Sequence, residues 1–249
     1  IECKVRNNAF AKNEKLKYVV AYNWGFFWFD IGAVLFKTEK TSSDKITKIS
    51  AAGKTYPSWD WFYKVRDFYN AWIDTETTKP YKFRRRVNEG GYIINADYEF
   101  DRNQQKAYTS YETIKTPEYK DTVEINDCTY DVLSIIYYLR NLDYDQYQVN
   151  DTIPVELLLD NEIEHLYIRY KGKEKFRLKY QGEFDAIRLG VYSVKASVFE
   201  SGENMDVWLT DDENHMPLWV ESPIIVGSIK VRLVGFNGLR NPLSSKISD

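Results

Sequence analysis

The chain has 249 residues with 43% hydrophobic and 29% charged side chains, a composition typical of a soluble globular protein rather than a disordered or membrane-spanning one. Its net charge of -3 argues against general nucleic-acid binding, because phosphate neutralisation requires a clustered excess of lysine and arginine. Aromatic residues make up 16% of the chain, and this bias favours β-sheet.

The N-terminal segment is polar, and we expect a loosely ordered arm or an edge strand there. The chain starts at Ile1 rather than methionine, so we expect that a signal peptide has been removed. Cys3 and Cys128 allow one disulfide in an oxidising compartment, and two free thiols are an equal alternative. The predicted division is an arm over 1–16, a single β domain over 17–240 and a C-terminal tail over 241–249.

The first half of the chain alternates apolar and polar residues between short turns, the pattern of an antiparallel meander. Gly32 predicts a bulge or a close approach between strands. The segment from Trp59 to Asp74 fits a helix and a strand about equally. Strands are predicted near 17–24, 26–36, 46–51, 82–87, 92–100 and 106–113.

A basic run lies in one of these strands, at Lys82 to Arg86. Strand alternation places Lys82, Arg84 and Arg86 on one face and the remaining two residues on the other. We expect a solvated or edge-protecting face there, with an anion or lipid-headgroup contact as the alternative.

The apolar stripe over Cys128 to Leu142 has helical spacing and predicts one helix that lies on the sheet. Asp127 is the expected N-cap, and Arg140 suits the C-terminal end of the helix dipole. The second half then returns to strands, with turns at Asp160-Asn161 and at Lys171 to Lys173. These strands are predicted near 153–159, 166–170, 176–180, 184–189, 193–199, 205–210, 218–221 and 228–234.

The fold expected from these elements is mainly β, a single large curved antiparallel sheet or open barrel with one covering helix. No Pro-, Gly- or Ser-rich linker separates the two halves, and no internal repeat at a fixed period is present. The apolar run from Trp24 to Phe36 is too short for a helical membrane span and contains an aspartate. We therefore do not expect a transmembrane protein.

Few residues could support catalysis or metal binding. His165 and His215 are the only histidines, and no nucleophile motif accompanies either one. His165 is expected on an exposed strand face, and His215 in a turn. Asp211 and Asp212 belong to an acidic turn whose spacing does not match an EF-hand loop, so we interpret them as turn formers. We expect no cofactor and no metal.

Many carboxylates occur among many aromatics, and this combination also suits a carbohydrate-active enzyme or a sugar-binding module. Such pairs arise by chance in a chain with 37 acidic residues, so the hypothesis is an alternative rather than the first choice. The candidate acids are Asp67, Asp74, Asp97, Glu99, Asp101, Asp211 and Glu221.

Aromatic residues on both faces of a strand indicate either core packing or an apolar ligand site inside the curved sheet. The cluster from Trp24 to Phe29 has this pattern. If a ligand site exists, the residues expected to line it are Trp24 and Trp28 on the sheet and Ile135 and Leu139 on the helix.

Several ordered motifs resemble the DUF3108 family: Val65-Arg66-Asp67, Glu89 to Tyr92, Tyr130 to Ser134 and Val207 to Asp212 with Pro217 and Glu221. The resemblance covers most of the chain from about Tyr18 to Leu239. It implies export to the periplasm or cell envelope, and it implies no catalytic residue. The expected architecture is also similar to that of the lipoprotein carriers LolA and LolB, by analogy of fold alone.

The resulting hypothesis is an exported, non-enzymatic envelope protein that binds a lipid or other apolar or amphipathic ligand, or an envelope protein partner, in the concave sheet. The carbohydrate hypothesis predicts instead an exposed cleft with two carboxyl groups beside a flat ring. A scaffold or assembly factor is the third alternative, and it predicts a large exposed apolar patch.

Overall fold

The computed structural model describes residues 3–24, 27–193, 205–223 and 228–248. These ranges contain sixteen strands, one α-helix and a short 3-10 helix over Tyr144–Gln146. The helix is α1 (Ser134–Leu139), and the strands are β1 (Lys15–Trp24), β2 (Phe27–Lys40), β3 (Ile46–Thr55), β4 (Arg66–Asp74), β5 (Pro80–Glu89), β6 (Tyr92–Asp101), β7 (Lys106–Thr113), β8 (Tyr119–Glu124), β9 (Thr129–Tyr130), β10 (Thr152–Leu159), β11 (Glu162–Leu178), β12 (Gly182–Ser193), β13 (Met205–Thr210), β14 (Pro217–Pro223), β15 (Ser228–Asn237) and β16 (Lys246–Ser248).

The strands form one sheet with the order β8-β7-β6-β5-β4-β3-β2-β1-β15-β14-β13-β12-β11-β10-β9, and β16 also pairs with β12. Every pairing is antiparallel except the short one between β9 and β10. Two meanders are therefore joined where β1 meets β15, with Val20 opposite Val231. This single, mainly antiparallel sheet confirms the predicted fold class.

The sheet curls so that its two halves meet. Asp160, in the turn between β10 and β11, accepts a hydrogen bond of 2.6 Å from Nη1 of Arg85 on β5. The backbone N–H of Asp160 donates to the hydroxyl of Tyr98 on β6 at 3.0 Å. These contacts bring residues that are distant in the strand order together, as expected for a barrel-like closure.

The inner face of the sheet is filled by the chain itself. Alanines stand at inner positions of β3, β4, β6 and β7, and Phe10 and Tyr137 pack in the same cluster. The rings of Phe10 and Tyr137 meet edge-on at 4.7 Å. Small residues on the sheet thus provide the room that two large rings from the N-terminal segment and α1 occupy.

The helix is shorter than predicted. Residues Thr129 and Tyr130 pair with β10 as strand β9, so the helix cannot begin at Cys128. The buried carboxylate of Asp131, rather than Asp127, accepts hydrogen bonds from the backbone N–H groups of Leu133 and Ser134. The predicted stripe ran through strand, turn and helix, because residues of all three are buried between the two halves of the sheet.

The N-terminal segment is anchored in the fold, so the prediction of a loose arm or an edge strand is wrong. Cys3 forms a disulfide with Cys128, which resolves the open question about the two thiols. Phe10 is buried in the core, and Glu14 pairs with Arg140. Arg140 therefore has a buried partner rather than a role at an exposed helix end. The predicted domain boundaries remain a prediction.

Three further segments differ from expectation or decide an open alternative. Within 59–74, residues from Arg66 onward form strand β4, which excludes the helix. The turn predicted at Lys171 to Lys173 is a bulge inside the continuous strand β11, where Gly172 has a φ of 102°. The strand predicted near 193–199 lies almost entirely outside the described residues.

Candidate interaction surface

Exposed aromatic side chains gather at one end of the sheet. In an antiparallel meander every second connection lies at the same end, so the β1–β2, β3–β4 and β5–β6 connections are neighbours. The start of β2 and the β3–β4 connection carry the exposed aromatic residues. We call Phe27–Phe29 together with Trp59–Tyr63 the aromatic surface.

The rings of this surface project into solvent and also touch one another. Trp61 is 81% exposed and Phe27 is 68% exposed, values that are uncommon for such large apolar side chains. Phe29 packs against Trp59 with ring centroids 5.5 Å apart, which joins the β2 strand to the β3–β4 loop. The rings of Trp61 and Phe62 meet at 5.9 Å. Strand β2 and the β3–β4 loop therefore form one continuous surface.

Hydrogen bonds and an ion pair hold the β3–β4 loop in place. The carboxylate of Asp60 accepts bonds from Thr55 Oγ1 at 2.6 Å and from both terminal nitrogens of Arg66 at 3.0 and 2.5 Å. The backbone N–H of Gly90 donates to the carbonyl of Lys64 at 2.8 Å. Gly90 has a φ of 59°, and a Cβ there would lie 2.6 Å from the ring of Tyr63. These contacts fix the β3–β4 loop to the end of the sheet.

Two carboxyl groups lie below the aromatic surface. Asp67 is buried and accepts a hydrogen bond from the backbone N–H of Asn88 at 3.2 Å. Burial and the neighbouring carboxylate of Glu89 raise the pKa of Asp67 to about 7. The two groups interact directly, whereas glycosidase carboxyl pairs are separated by roughly 5 Å or more.

The four residues predicted to line a ligand site do not come together. Ile135 is buried in a core cluster, and Leu139 packs against the same cluster. Trp28 is 39% exposed and belongs to the aromatic surface, where the Lys230 ammonium lies 4.0 Å from its ring centroid. The side chain of Trp24 is outside the described part of the chain.

The two histidines have different surroundings. His165 is exposed, as predicted, and its Nδ1 lies 3.5 Å from Glu156 Oε1. His215 is more than a turn residue, because its Nδ1 lies 2.8 Å from the carbonyl oxygen of Arg140 and its ring meets Tyr144 edge-on. Burial lowers the pKa of His215. It therefore contributes to packing between the acidic turn and the core.

The acidic turn joins the C-terminal tail to the sheet. One carboxylate oxygen of Asp212 accepts from Thr210 Oγ1 and from the backbone N–H of Asn214, and the other accepts from Ser245 Oγ at 2.7 Å. This geometry is that of a turn former. Within the described ranges no group of three or more His, Cys, Asp or Glu side chains could hold a metal ion.

Two grooves lie away from the aromatic surface. One of about 860 Å³ borders β10 and β11 and includes Val155, Leu166 and Tyr167. Its polar groups already bond to one another, since Asn126 Nδ2 donates to Glu156 Oε2 at 2.7 Å. The other, of about 530 Å³, surrounds the acidic turn and is mostly polar.

The sequence interpretation missed the loop from Trp59 to Tyr63. Its signal was a dense aromatic run directly after Pro57-Ser58, a pair that favours a turn. Periodicity could not place that run because its residues form neither helix nor strand.

The fold and the surface together define a β-barrel-like protein with a filled interior and an exposed aromatic end. The chain belongs to the family described as "Protein of unknown function (DUF3108)", whose model matches residues 17–234. No curated protein matches the chain. None of the helices that the structure describes is long and apolar enough to cross a membrane.

The chain is similar to several solved structures. A β-barrel-like protein of domain of unknown function DUF1849 from Brucella abortus is similar over 93% of this chain and 98% of its own, with a TM-score of 0.62 and 9% identity. A hypothetical protein from Chlamydia trachomatis matches 96% of this chain and 93% of its own, at 9% identity and a TM-score of 0.39. The first similarity supports a shared barrel-like fold and carries no function.

Proposed function

We propose that this protein is an exported, non-enzymatic protein of the cell envelope that binds an apolar or amphipathic ligand or partner through the aromatic surface. The observation that carries the proposal is the exposure of several large rings on a loop that an ion pair and hydrogen bonds hold in place. Contiguous exposed apolar patches of this kind mark interaction sites in soluble proteins.

We propose the end of the sheet, and not the helix, as the binding surface. Ile135 lies in the core, where the rings of Tyr130 and Tyr138 stack at 4.7 Å. A ligand beside Ile135 or Leu139 would have to displace such packing, whereas a ligand at Trp28 or Trp61 meets exposed rings. Of the residues expected from the sequence, Trp28 is the one that stays in the proposal.

The disulfide supports location outside the cytoplasm. Cys3 and Cys128 are joined, and structural disulfides form and persist in oxidising compartments such as the bacterial periplasm. The periplasm or the cell envelope is therefore the proposed location.

Site-specific photo-crosslinking in intact cells tests the proposal. A photoreactive amino acid replaces Trp61, which is 81% exposed, in one variant and Tyr108, which is 43% exposed, in the other. Tyr108 is the control because it lies at the start of β7, beside the β6–β7 connection at the opposite end of the meander. We expect a discrete lipid or protein adduct from position 61 alone. Equal adducts from both positions, or none from position 61, would overturn the proposal.

A sugar-binding module is the second candidate, favoured by the exposed ring of Trp61, which a sugar could stack against. It predicts that soluble oligosaccharides quench the tryptophan fluorescence in a saturable way and that Trp61→Ser abolishes the effect. An enzymatic version would need two separated carboxyl groups beside the ring, which the directly interacting Asp67 and Glu89 do not provide.

A further inference from the structure

We propose that the aromatic surface docks on the surface of a lipid bilayer that carries anionic headgroups. The inference rests on the proposed function and names its partner. Three features of the structure support it: the exposed tryptophans at one end of the meander, the balance of charge beside the rings, and the projection of the rings into solvent.

The first feature is the contrast between the two ends of the β1–β8 meander. At the opposite end the connections are polar, with Thr41 to Lys45, Thr75 to Lys79 and Arg102 to Gln105. At the aromatic end the start of β2 and the β3–β4 connection present tryptophan, phenylalanine and tyrosine side chains. Aromatic side chains are enriched where proteins meet the interface between lipid and water.

The second feature is the charge around the rings. The aspartates there are paired: Asp60 binds Arg66, and both carboxylate oxygens of Asp30 accept bonds of 2.7 Å from Arg232. Lys54 and Lys64 flank the rings, and both are exposed. Among the described residues no ion pair holds either lysine. The half-buried carboxylate of Glu89 also lies near Tyr63, so two exposed lysines face one unpaired carboxylate there and the local balance is positive, although the whole chain carries -3.

The third feature distinguishes a bilayer from a protein partner. The rings of Phe27 and Trp61 project into solvent from two separate supports, the start of β2 and the β3–β4 loop, and are 68% and 81% exposed. Protein–protein hot spots concentrate in well-packed pockets, and their surroundings are depleted in lysine. Protruding rings beside lysines are typical of segments that insert shallowly among lipid headgroups.

Vesicle binding by the intact, oxidised protein tests the inference. The probes are large unilamellar vesicles of phosphatidylethanolamine and phosphatidylglycerol, and vesicles of phosphatidylcholine alone. Co-sedimentation gives the partition coefficient, and a blue shift of tryptophan fluorescence reports insertion. We expect stronger partitioning onto the anionic vesicles, and weaker partitioning as salt is raised from 50 to 500 mM, since salt screens exposed lysines.

Three variants separate the contributions. Removal of two projecting rings in Trp61→Ser/Phe62→Ser should lower the partition coefficient by tenfold or more, because burial of one large apolar side chain corresponds to roughly a tenfold change. Lys54→Gln/Lys64→Gln should weaken binding to anionic vesicles about threefold to thirtyfold, where the upper value corresponds to roughly 1 kcal/mol for each lysine. Binding to the phosphatidylcholine control should not change. Tyr108→Ser, at the opposite end of the meander, should bind like the parent chain.

The outcomes distinguish failure of the inferred lipid partner from failure of the proposed function. If the parent chain does not bind anionic vesicles, or if Trp61→Ser/Phe62→Ser binds as tightly, the lipid surface is not the partner. In that case a discrete adduct from position 61 in cells would leave the proposed function standing with a protein or a soluble ligand as partner. Absence of both signals would overturn both. Circular dichroism melting verifies that each variant is folded, and Phe27→Ser replaces the double variant if it is not.

Discussion

The buried ion pair between Glu14 and Arg140 should be the most sensitive polar contact in the molecule. Both side chains are only 1% exposed. Arg140 Nη1 donates to Glu14 Oε1 at 2.6 Å, and Nη2 donates to Oε2 at 2.9 Å. Two further donors are also satisfied, since Nε donates to the carbonyl of Asn214 and Nη2 to that of Ala9. The pair joins the N-terminal segment, the helix end and the acidic turn.

Replacement of Glu14 by glutamine keeps the shape but removes the charge. An arginine guanidinium is not deprotonated in proteins, so Arg140 stays charged in the variant although the carboxylate of Glu14, which raises its pKa, is gone. One of the two charge-assisted hydrogen bonds is lost, and an amide N–H group faces the guanidinium. Removal of one partner of a buried pair costs about 3 to 5 kcal/mol, because the other charge remains buried and uncompensated. Glu14→Gln should lower the free energy of unfolding by that amount.

Urea unfolding of the oxidised protein, followed by circular dichroism, measures the effect. Lys82→Gln is the control, because Lys82 and Glu99 form an exposed pair at 2.8 Å that should contribute less than about 1 kcal/mol. The double variant Glu14→Leu/Arg140→Met should be more stable than Glu14→Gln, since it leaves no buried charge. A loss below about 1 kcal/mol in Glu14→Gln would refute the reasoning.

Three further predictions concern other parts of the fold. Cys3→Ser/Cys128→Ser should lower the free energy of unfolding by about 2 to 5 kcal/mol, because the disulfide spans 125 residues; reduction of the parent protein should reproduce the loss in the same urea titration. Asp67 stays protonated in the folded chain up to about pH 7 but ionises near 3.8 when unfolded, so stability should fall as pH rises between these values. Asp67→Asn should therefore melt above the parent chain at pH 8 and close to it at pH 4, and equal differences at both pH values would contradict this. Gly32→Ala should cost about 1 to 3 kcal/mol because its Cβ would lie 2.5 Å from the Lys54 carbonyl oxygen, while Gly53→Ala, whose nearest contact is 3.7 Å, should stay within about 1 kcal/mol in thermal melts.

The alternation of apolar and polar residues was sufficient to predict a strand that has one buried face and turn residues at both ends. Strand β7 has the predicted bounds, Lys106 to Thr113, because its alternation ends at turn residues on both sides. Gly32 was expected at a close approach, and it does lie against the backbone of β3. At Gly172 the same logic failed, since a glycine between two lysines serves equally well as a turn or as a bulge.

The interior and the candidate site required tertiary information. Helix α1 is buried on several sides, so its apolar positions were not confined to one stripe and the pattern extended past its true ends. Cys3 and Cys128 are 125 residues apart in the sequence, so their pairing depends on the tertiary fold and cannot be inferred from their spacing. Exposure of Trp61 is likewise a property of the assembled rim, because the residue type alone favours burial.

Packing on the inner face favours the aromatic surface as the functional site. The N-terminal segment reaches inside the sheet and is fixed there by the disulfide and by the Glu14–Arg140 pair. Because Phe10 and Tyr137 pack between the halves, a ligand on that part of the inner face would have to displace buried rings. The aromatic surface is different, because Asp60 and Arg66 hold its loop while its rings remain in water. A loop that is fixed in this way, beside the exposed rings of Phe27 and Trp61, is the surface that we propose for a binding partner outside the chain.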